Sequence, residues 1–173
     1  VVIGAGAGGL VSAYIAAAVK ARVTLIEGHK MGGDCLNTGC VPSKALIRTA
    51  HLAHELRSAG DYGIVDTQGR IDFAAVMQRV QRVVQAVAPH DSVERYESLG
   101  VECLQGEAQL IDPWTVEVAG RRLTARNIVI ATGARPQVPP IPGLDQIPYL
   151  TSDTVWSLRE CPRRLLVLGG GPI

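Results

Sequence analysis

Aromatic side chains are scarce in this chain, with one Phe, four Tyr and two Trp among 173 residues, and no run of Lys and Arg accompanies them. Nucleic-acid recognition needs a basic stripe and, for single strands, rings on which bases can stack, so that partner is excluded. Charge of one sign is missing as well: 17 basic and 16 acidic residues leave a formal net charge of +1. The longest apolar run, Ile15 to Val19, falls far short of the roughly 20 residues that cross a bilayer, so no membrane partner is expected. Four cysteines are too few for a disulfide scaffold. No charged segment followed by a small-residue cleavage pattern marks a secretory leader, and the expected location is cytoplasmic. What remains is a chain that is 47% apolar and long enough for one ordinary domain with a substantial core.

The few cysteines are not scattered. Cys35 and Cys40 bracket Leu36-Asn37-Thr38-Gly39 within a Gly- and Asn-rich stretch, Gly32 to Lys44, that runs straight into an apolar-periodic helix expected over about Cys40 to Ala59. Both thiols are therefore expected near a helix N-terminus, where unsatisfied N–H groups and the macrodipole favour negative charge. Lys44, one turn after Cys40 on the same face, adds a full positive charge. Two readings of the pair stand at this point, a redox-active dithiol/disulfide and two reduced, buried cysteines. A zinc site would need two more ligands at short spacing, and none occurs, so no metal is expected. His51 and His54, three apart on the same helix, read as solvent-facing or hydrogen-bonded.

The start of the chain is strand, glycine turn and helix. Val1-Val2-Ile3 reads as the last part of a buried strand, Gly4-Ala5-Gly6-Ala7-Gly8-Gly9 as the turn, and about Ala7 to Lys20 as an Ala-rich helix. Gly4 permits the tight turn, Gly6 lets backbone approach a pyrophosphate, and Gly9 lets helix and strand pack closely. A second strand, Arg22 to Ile26, ends on Glu27, at the spacing of about 20 residues where an acid accepts hydrogen bonds from an adenosine ribose. A Glu there disfavours a 2′-phosphate, so FAD or NAD fits better than NADP.

Further along, the helix after Cys40 carries Pro42 in its first turn and Gly60 as its stop, with Ala45, Leu46, Leu52, Ala53 and Leu56 facing the core. Ile71 to Leu99 reads as a long helix capped by Asp72, kinked at Pro89 and restarted at Asp91-Ser92-Val93-Glu94, with Arg79, Arg82 and Arg95 on a solvated face. Val101 to Leu104, Glu107 to Ile111, Trp114 to Val118 and Arg122 to Thr124 read as short antiparallel strands, with Cys103 an inert core residue in the first. Asn127 to Ala134 is a buried strand feeding a glycine turn, expected beside the Gly4 turn at the carboxyl edge of a parallel sheet. Arg135 to Pro148 is extended and Pro-rich. Thr151 to Leu158 is a short helix capped by Ser152 or Asp153, and Cys161 is expected to be structural. Leu165 to Ile173 reads as another apolar strand entering a glycine turn, so the chain is expected to be a piece of a longer polypeptide.

These residues together resemble the FAD-binding part of the flavoprotein disulfide reductases, the pyridine nucleotide-disulfide oxidoreductases that include dihydrolipoamide dehydrogenase, glutathione reductase and mercuric reductase. The resemblance covers essentially the whole chain. It rests on Gly4 to Gly9 with Glu27, on Gly33-Asp34-Cys35-Leu36-Asn37-Thr38-Gly39-Cys40-Val41-Pro42-Ser43-Lys44, on Ala131-Thr132-Gly133-Ala134-Arg135-Pro136, and on the glycine motif opening at Gly169 and Gly171. The Cys-x4-Cys-x-Pro-Ser-Lys element is its most specific part, and its wording leans to the mercuric reductase and dihydrolipoamide dehydrogenase branch.

The resemblance implies an α/β fold: a Rossmann-like FAD-binding domain with a parallel sheet plus a small antiparallel β-meander, over residues 1–148. Residues 149–173 would be the connection and the first strand and glycine turn of an NAD(P)-binding domain, truncated here. It implies that Gly4, Gly6, Ala7, Gly8 and Gly9 hold the FAD pyrophosphate, Glu27 the adenosine ribose, and Gly33 and Asp34 the flavin side of the pyrophosphate. Many relatives have Thr where this chain has Asp34. Ala108 would meet the adenine through its backbone, and Ala131, Thr132 and Gly133 would close over the cofactor. Cys40 would be the thiol nearest the flavin, Cys35 the interchange thiol, and Lys44 would approach the flavin N5 edge. Electrons would pass from NAD(P)H to FAD, to a Cys35–Cys40 disulfide and on to a small-molecule disulfide or a metal ion such as mercuric ion, in a homodimer when full length. The segment alone is expected to be inactive, because the family's acid-base pair comes from a C-terminal domain. A quinone reductase or transhydrogenase on the same scaffold, and a non-catalytic FAD-binding module, are the alternatives.

Overall fold

A computed structural model of the chain describes residues 1–67 and 69–171. In chain order its helices and strands are β1 (Val2–Ile3), α1 (Ala7–Ala18), β2 (Val23–Glu27), α2 (Gly33–Asn37), α3 (Cys40–Ser58), α4 (Phe73–Val87), α5 (Val93–Ser98), β3 (Val101–Gln105), β4 (Ala108–Asp112), β5 (Thr115–Val118), β6 (Arg121–Thr124) and β7 (Val129–Ile130). They divide into two compact units, Val1–Asn37 with Ala86–Arg135, and Thr38–Gln85 with the chain from Pro136 onward.

The first unit is built on a four-stranded parallel sheet ordered β3-β2-β1-β7. Val2 and Ile3 pair with Leu25 and Ile26 on one side and with Val129 and Ile130 on the other, which makes β1 a central strand. Central parallel strands are covered on both faces and so read as uninterrupted apolar residues. Leu10 and Ala13 of α1 pack with Val2, Leu25, Val101 and Tyr96 on one face, and Val116 and Val118 of β5 join Ile3 and Ile26 on the other. The second layer is thus the antiparallel sheet β4-β5-β6. Its tight turn at Ala119 and Gly120 takes positive φ at both residues, as a two-residue hairpin of right-handed twist requires. At Asp112-Pro113 the Asp112 carboxylate accepts from the Trp114 N–H at 2.7 Å, an Asx turn.

Three expectations change in this unit. The buried strand expected over Asn127 to Ala134 is only Val129–Ile130, and both residues are exposed because β7 is the outer strand of the sheet. Val101 to Leu104 belongs to the parallel sheet, paired with β2 from Val23↔Val101 to Glu27↔Gln105. Its period-two pattern arises because β3 is an edge strand, half exposed like an antiparallel one. The first helix stops at Ala18 instead of Lys20, because Lys20 turns left-handed at φ 67.

In the second unit α3 runs from Cys40 with Pro42 buried in its first turn. Gly60 does not stop it: a 3-10 turn over Ala59–Tyr62 carries the chain on to Gly63, the left-handed residue at φ 77. Of the expected core stripe only Ala45 is buried, while Leu52 and Leu56 are exposed. The expected long helix is three pieces, of which only α4, up to Gln85, belongs to this unit. Asp72 caps α4 by accepting from the Ala75 N–H at 3.0 Å, Pro89 falls in a 3-10 turn over Ala88–Asp91, and Ser92 caps α5 from the Arg95 N–H at 3.2 Å. Arg79 leaves the solvated face, since Nη1 donates to the Ala45 carbonyl at 2.8 Å and to the Thr49 hydroxyl at 3.4 Å.

Thr151 to Leu158 forms only a single 3-10 turn, Val155–Ser157, and Thr154, not Ser152 or Asp153, stands at its start. The expected strand at Leu165 is not formed. Leu165 to Leu168 are exposed and no described strand pairs with them, and without a neighbour an extended apolar run has nowhere to place its backbone groups. Pro172 and Ile173 lie outside the described residues.

Candidate functional site

All four parallel strands present their carboxyl ends at one edge, where the turns at Gly4, Gly32, Gly106 and Ala131 lie. The Gly4 N–H donates to the Ile26 carbonyl at 2.7 Å, the Gly32 N–H to the Ala5 carbonyl at 2.8 Å, the Gly106 N–H to the Glu27 carbonyl at 2.9 Å and the Ala131 N–H to the Ile3 carbonyl at 2.8 Å. Glu27 ties the edge together with its side chain. One carboxylate oxygen accepts from the Ala5 N–H at 2.6 Å and the other from the His29 N–H at 2.7 Å. A carboxylate offers about four lone-pair positions, so each oxygen keeps capacity for a ligand hydroxyl.

The glycines of the turn do two different things. A Cβ on Gly9 would be driven into the Gly4 carbonyl, and one on Gly4 into the Ala131 carbonyl, with φ at +99° besides. Those two are dictated by the chain's own packing. A Cβ on Gly6 would meet nothing nearer than the Gly33 Cα at 3.7 Å, and one on Gly8 nothing nearer than the Ala131 Cβ at 3.9 Å. Their missing side chains leave bare backbone facing open space. Gly6 is also the N-cap of α1, with no side-chain capping bond and no acid in the first turn. A 12-residue helix thus presents its first-turn N–H groups, and its positive end, without a side-chain cap or an acid in that turn.

The structure brings Gly4, Gly6, Gly8, Gly33 and Ala131 within van der Waals reach of one another's backbone or Cβ positions, with Glu27 bonded into the same turn. Ala7 is exposed at the start of α1, Thr132 and Gly133 are exposed just past β7, and Ala108 is half-buried at the start of β4. Asp34 stands apart: it is exposed in the first turn of α2, where a carboxylate complements the helix end.

The cysteine stretch is more ordered than a loop. Residues 33–37 form the short helix α2, held by the Asn37 side-chain amide, which donates to the Met31 and Gly33 carbonyls at 3.1 and 2.8 Å. Cys35 lies half-buried in α2, and Cys40 is the exposed first residue of α3, with Thr38 and Gly39 between the helices. Lys44 is exposed one turn into α3. Asn37 and Trp156, whose indole N–H donates to the Thr38 carbonyl at 2.8 Å, were not legible as site residues. The place of Asn37 in a Gly- and Asn-rich stretch is the signal for the first, and nothing local gives one for the second.

The remaining titratable groups separate from this site. His51 and His54 are exposed on α3, and among the described residues no three or more His, Cys, Asp or Glu converge as a metal site would need. Cys103 is half-buried against the first core cluster, and burial, then the nearby Glu97 charge, push its thiol above the ordinary range. Cys161, expected to be structural, is exposed. In reduced protein at pH 8, Cys103 should therefore alkylate about tenfold more slowly than Cys161, and the gap should narrow as pH rises. Peptide mass mapping after timed iodoacetamide exposure measures this.

A glycine turn leaving the central strand of a parallel sheet, an uncapped helix beginning at that turn and an acid closing the neighbouring strand define an α/β protein of the dinucleotide-binding class. The chain belongs to the pyridine nucleotide-disulphide oxidoreductase family, whose model matches residues 1–173. It is 37% identical over 172 residues to a mercuric reductase of Lysinibacillus sphaericus, covering 99% of this chain and 32% of that one. It is likewise 37% identical over 179 residues to a dihydrolipoyl dehydrogenase of Mycoplasma pneumoniae, covering 100% of this chain and 39% of the relative. In three dimensions it matches an HOCl-induced flavoprotein disulfide reductase, RclA, from Escherichia coli, with a TM-score of 0.72 and 29% identity over 92% of this chain and 34% of the other. The chain thus spans about a third of the length of the relatives it matches. Membership in the family implies a flavin cofactor.

Proposed function

We propose that the chain is the FAD-binding segment of an NAD(P)H-dependent disulfide or mercuric ion oxidoreductase, with Cys35 and Cys40 as its cycling dithiol. Two observations support the reading, each taken by itself: a glycine turn that opens α1 without a side-chain cap, and a Cys-x4-Cys element whose second cysteine opens a 19-residue helix. In this reading residues 1–148 form the FAD-binding domain and residues 149–173 lead toward an NAD(P)-binding domain.

The residues at the sheet edge fit FAD. Open space over Gly6 and Gly8 gives a pyrophosphate room to reach backbone N–H groups of α1, with Gly4, Ala7 and Gly9 completing the turn. Glu27 would accept a ribose hydroxyl, Gly33 would flank the flavin side of the pyrophosphate, Ala108 would meet the adenine, and Ala131, Thr132 and Gly133 would cover the cofactor. Asp34 is assigned less to FAD than to the first turn of α2, because a carboxylate against phosphate repels it. When bound, the flavin supplies the two-electron chemistry that links a nicotinamide donor to a disulfide.

The protein's own part is thiol chemistry. Cys40 is the exposed first residue of α3, open to a partner thiol or substrate, and Lys44 lies one turn on. Cys35 would be the thiol that attacks substrate, forming a mixed bond that Cys40 resolves as the disulfide closes. A small disulfide would leave as two thiols, and mercuric ion as the reduced metal. A pair that cycles in this way suits a reducing cytoplasm, and the complete enzyme would be a homodimer.

Alkylating the air-oxidised protein, then reducing it and applying a second label, tests the assignment. Cys35 and Cys40 should carry only the second label, and Cys161 only the first. First label on Cys35 and Cys40 in oxidised protein would refute the cycling disulfide.

A further inference from the structure

We propose that Trp156 is a positioning residue for the dithiol, holding the backbone between the two cysteines in the geometry that closes their bond. The inference rests on Cys35 and Cys40 being the redox pair. The Trp156 indole N–H donates to the Thr38 carbonyl at 2.8 Å, across 118 positions of chain. Thr38 lies inside the ring that a Cys35–Cys40 disulfide would close, and the next residue is the N-cap of α3.

The N-cap Gly39 has no side chain, α3 has no side-chain capping bond, and Gly39 sits at φ −125 and ψ −109, away from the ordinary wells. The anchor on the Thr38 carbonyl comes from the far side of the Pro-rich connection. That anchor is itself braced. The Thr154 hydroxyl accepts from the Thr151 N–H at 2.9 Å, the Thr151 hydroxyl from the Asp153 N–H at 3.2 Å, and the Ser157 hydroxyl donates to the Thr154 carbonyl at 2.7 Å. Gln81 of α4 donates from Nε2 to the Trp156 carbonyl at 3.4 Å, and Arg159 Nη1 binds the Leu158 carbonyl at 3.0 Å. The indole, half-buried, is therefore presented by a fixed turn and not by a mobile side chain.

Closing a disulfide requires the two Cα atoms to be held about 4.4 to 6.8 Å apart. The tighter the intervening backbone is held in that geometry, the higher the effective concentration of one thiol at the other. Removing one neutral hydrogen bond from this hold should lower that concentration about three- to tenfold.

The experiment equilibrates the FAD-loaded protein, without nicotinamide, against mixtures of glutathione and its disulfide. The two thiols give up two protons and two electrons, one S–S bond forms in the protein, and the glutathione disulfide is released as two thiols. Trp156→Phe keeps the ring and loses only the donor. The equilibrium constant for closure should fall three- to tenfold in Trp156→Phe, with thermal unfolding within a few degrees of the parent, and Trp156→His, which retains a ring N–H, should recover part of the loss. An unchanged or larger constant in the Phe variant overturns the inference while leaving the redox pair intact. Failure of the parent itself to close a Cys35–Cys40 bond would overturn the redox reading and this inference with it. A variant-free check uses the two indole N–H signals of the 15N-labelled protein. The Trp156 signal should resist hydrogen exchange and shift on dithiol reduction, while that of Trp114, 58% exposed, should do neither. A Trp156 signal that exchanges as fast as that of Trp114 would also overturn the inference.

Discussion

Gly9→Ala is expected to prevent the first unit from folding, whereas Gly6→Ala, three residues earlier in the same turn, should fold normally and lose FAD affinity. The new Cβ at Gly9 lands on the Gly4 carbonyl, with the Val2 Cγ1 only 3.4 Å away. Both neighbours belong to the turn and central strand, so relief means moving β1 against the sheet that flanks it on both sides. A backbone overlap of this kind costs upward of about 4 kcal/mol, a large part of the 5–15 kcal/mol that holds an ordinary domain. At Gly6 the methyl meets the Gly33 Cα at an ordinary 3.7 Å and otherwise projects into open space. That space is where a pyrophosphate would lie, so FAD affinity should fall tenfold or more. Thermal unfolding followed by circular dichroism, and quenching of flavin fluorescence on binding, read the two effects separately. Equal damage to folding in both variants would contradict the division of the turn into structural and ligand-facing glycines.

Cys35→Ser and Cys40→Ser are each expected to reduce turnover of a disulfide substrate by the complete enzyme about a thousandfold or more. Residues that act as one chemical unit fail together, so either change should cost nearly as much as both. A hydroxyl cannot stand in, because the exchange step needs a thiolate to attack and a sulfur to leave. Steady-state rates of NAD(P)H oxidation with disulfide substrate measure this, with the double variant as the reference. A quinone reductase on this scaffold would be indifferent to both substitutions.

The glycine turn and the acid beside it are legible in the sequence as local geometry. Gly4, Gly9 and Glu27 obey spacing rules set by one strand-turn-helix-strand unit, and Pro42 and Asp72 obey the rules of helix starts. Such rules need only neighbours in sequence. The parallel sheet with its antiparallel companion was legible for the same reason, apart from β3, whose alternating pattern reports edge exposure and not the direction of its partner. What escaped depends on distant chain. Arg79 finds the Ala45 carbonyl 34 positions away, and Trp156 finds Thr38 across 118. The stripe on α3 reads as core-facing from its helical spacing and Leu165 to Leu168 as a strand from its apolar run, although burial and strand pairing require a partner surface that a pattern within one segment does not specify. The short helix α2 also escaped, because its five residues include a Gly and an Asn, which ordinarily mark a turn.

The central claim is that a thiol pair and a flavin work as one redox unit, and reductive titration of the FAD-loaded protein with dithionite tests it most directly. Two electron pairs per flavin should be taken up before reduction is complete, with a long-wavelength absorption band after the first pair that disappears in Cys40→Ser. Uptake of a single pair with no such band, or a band that survives the loss of Cys40, would contradict it.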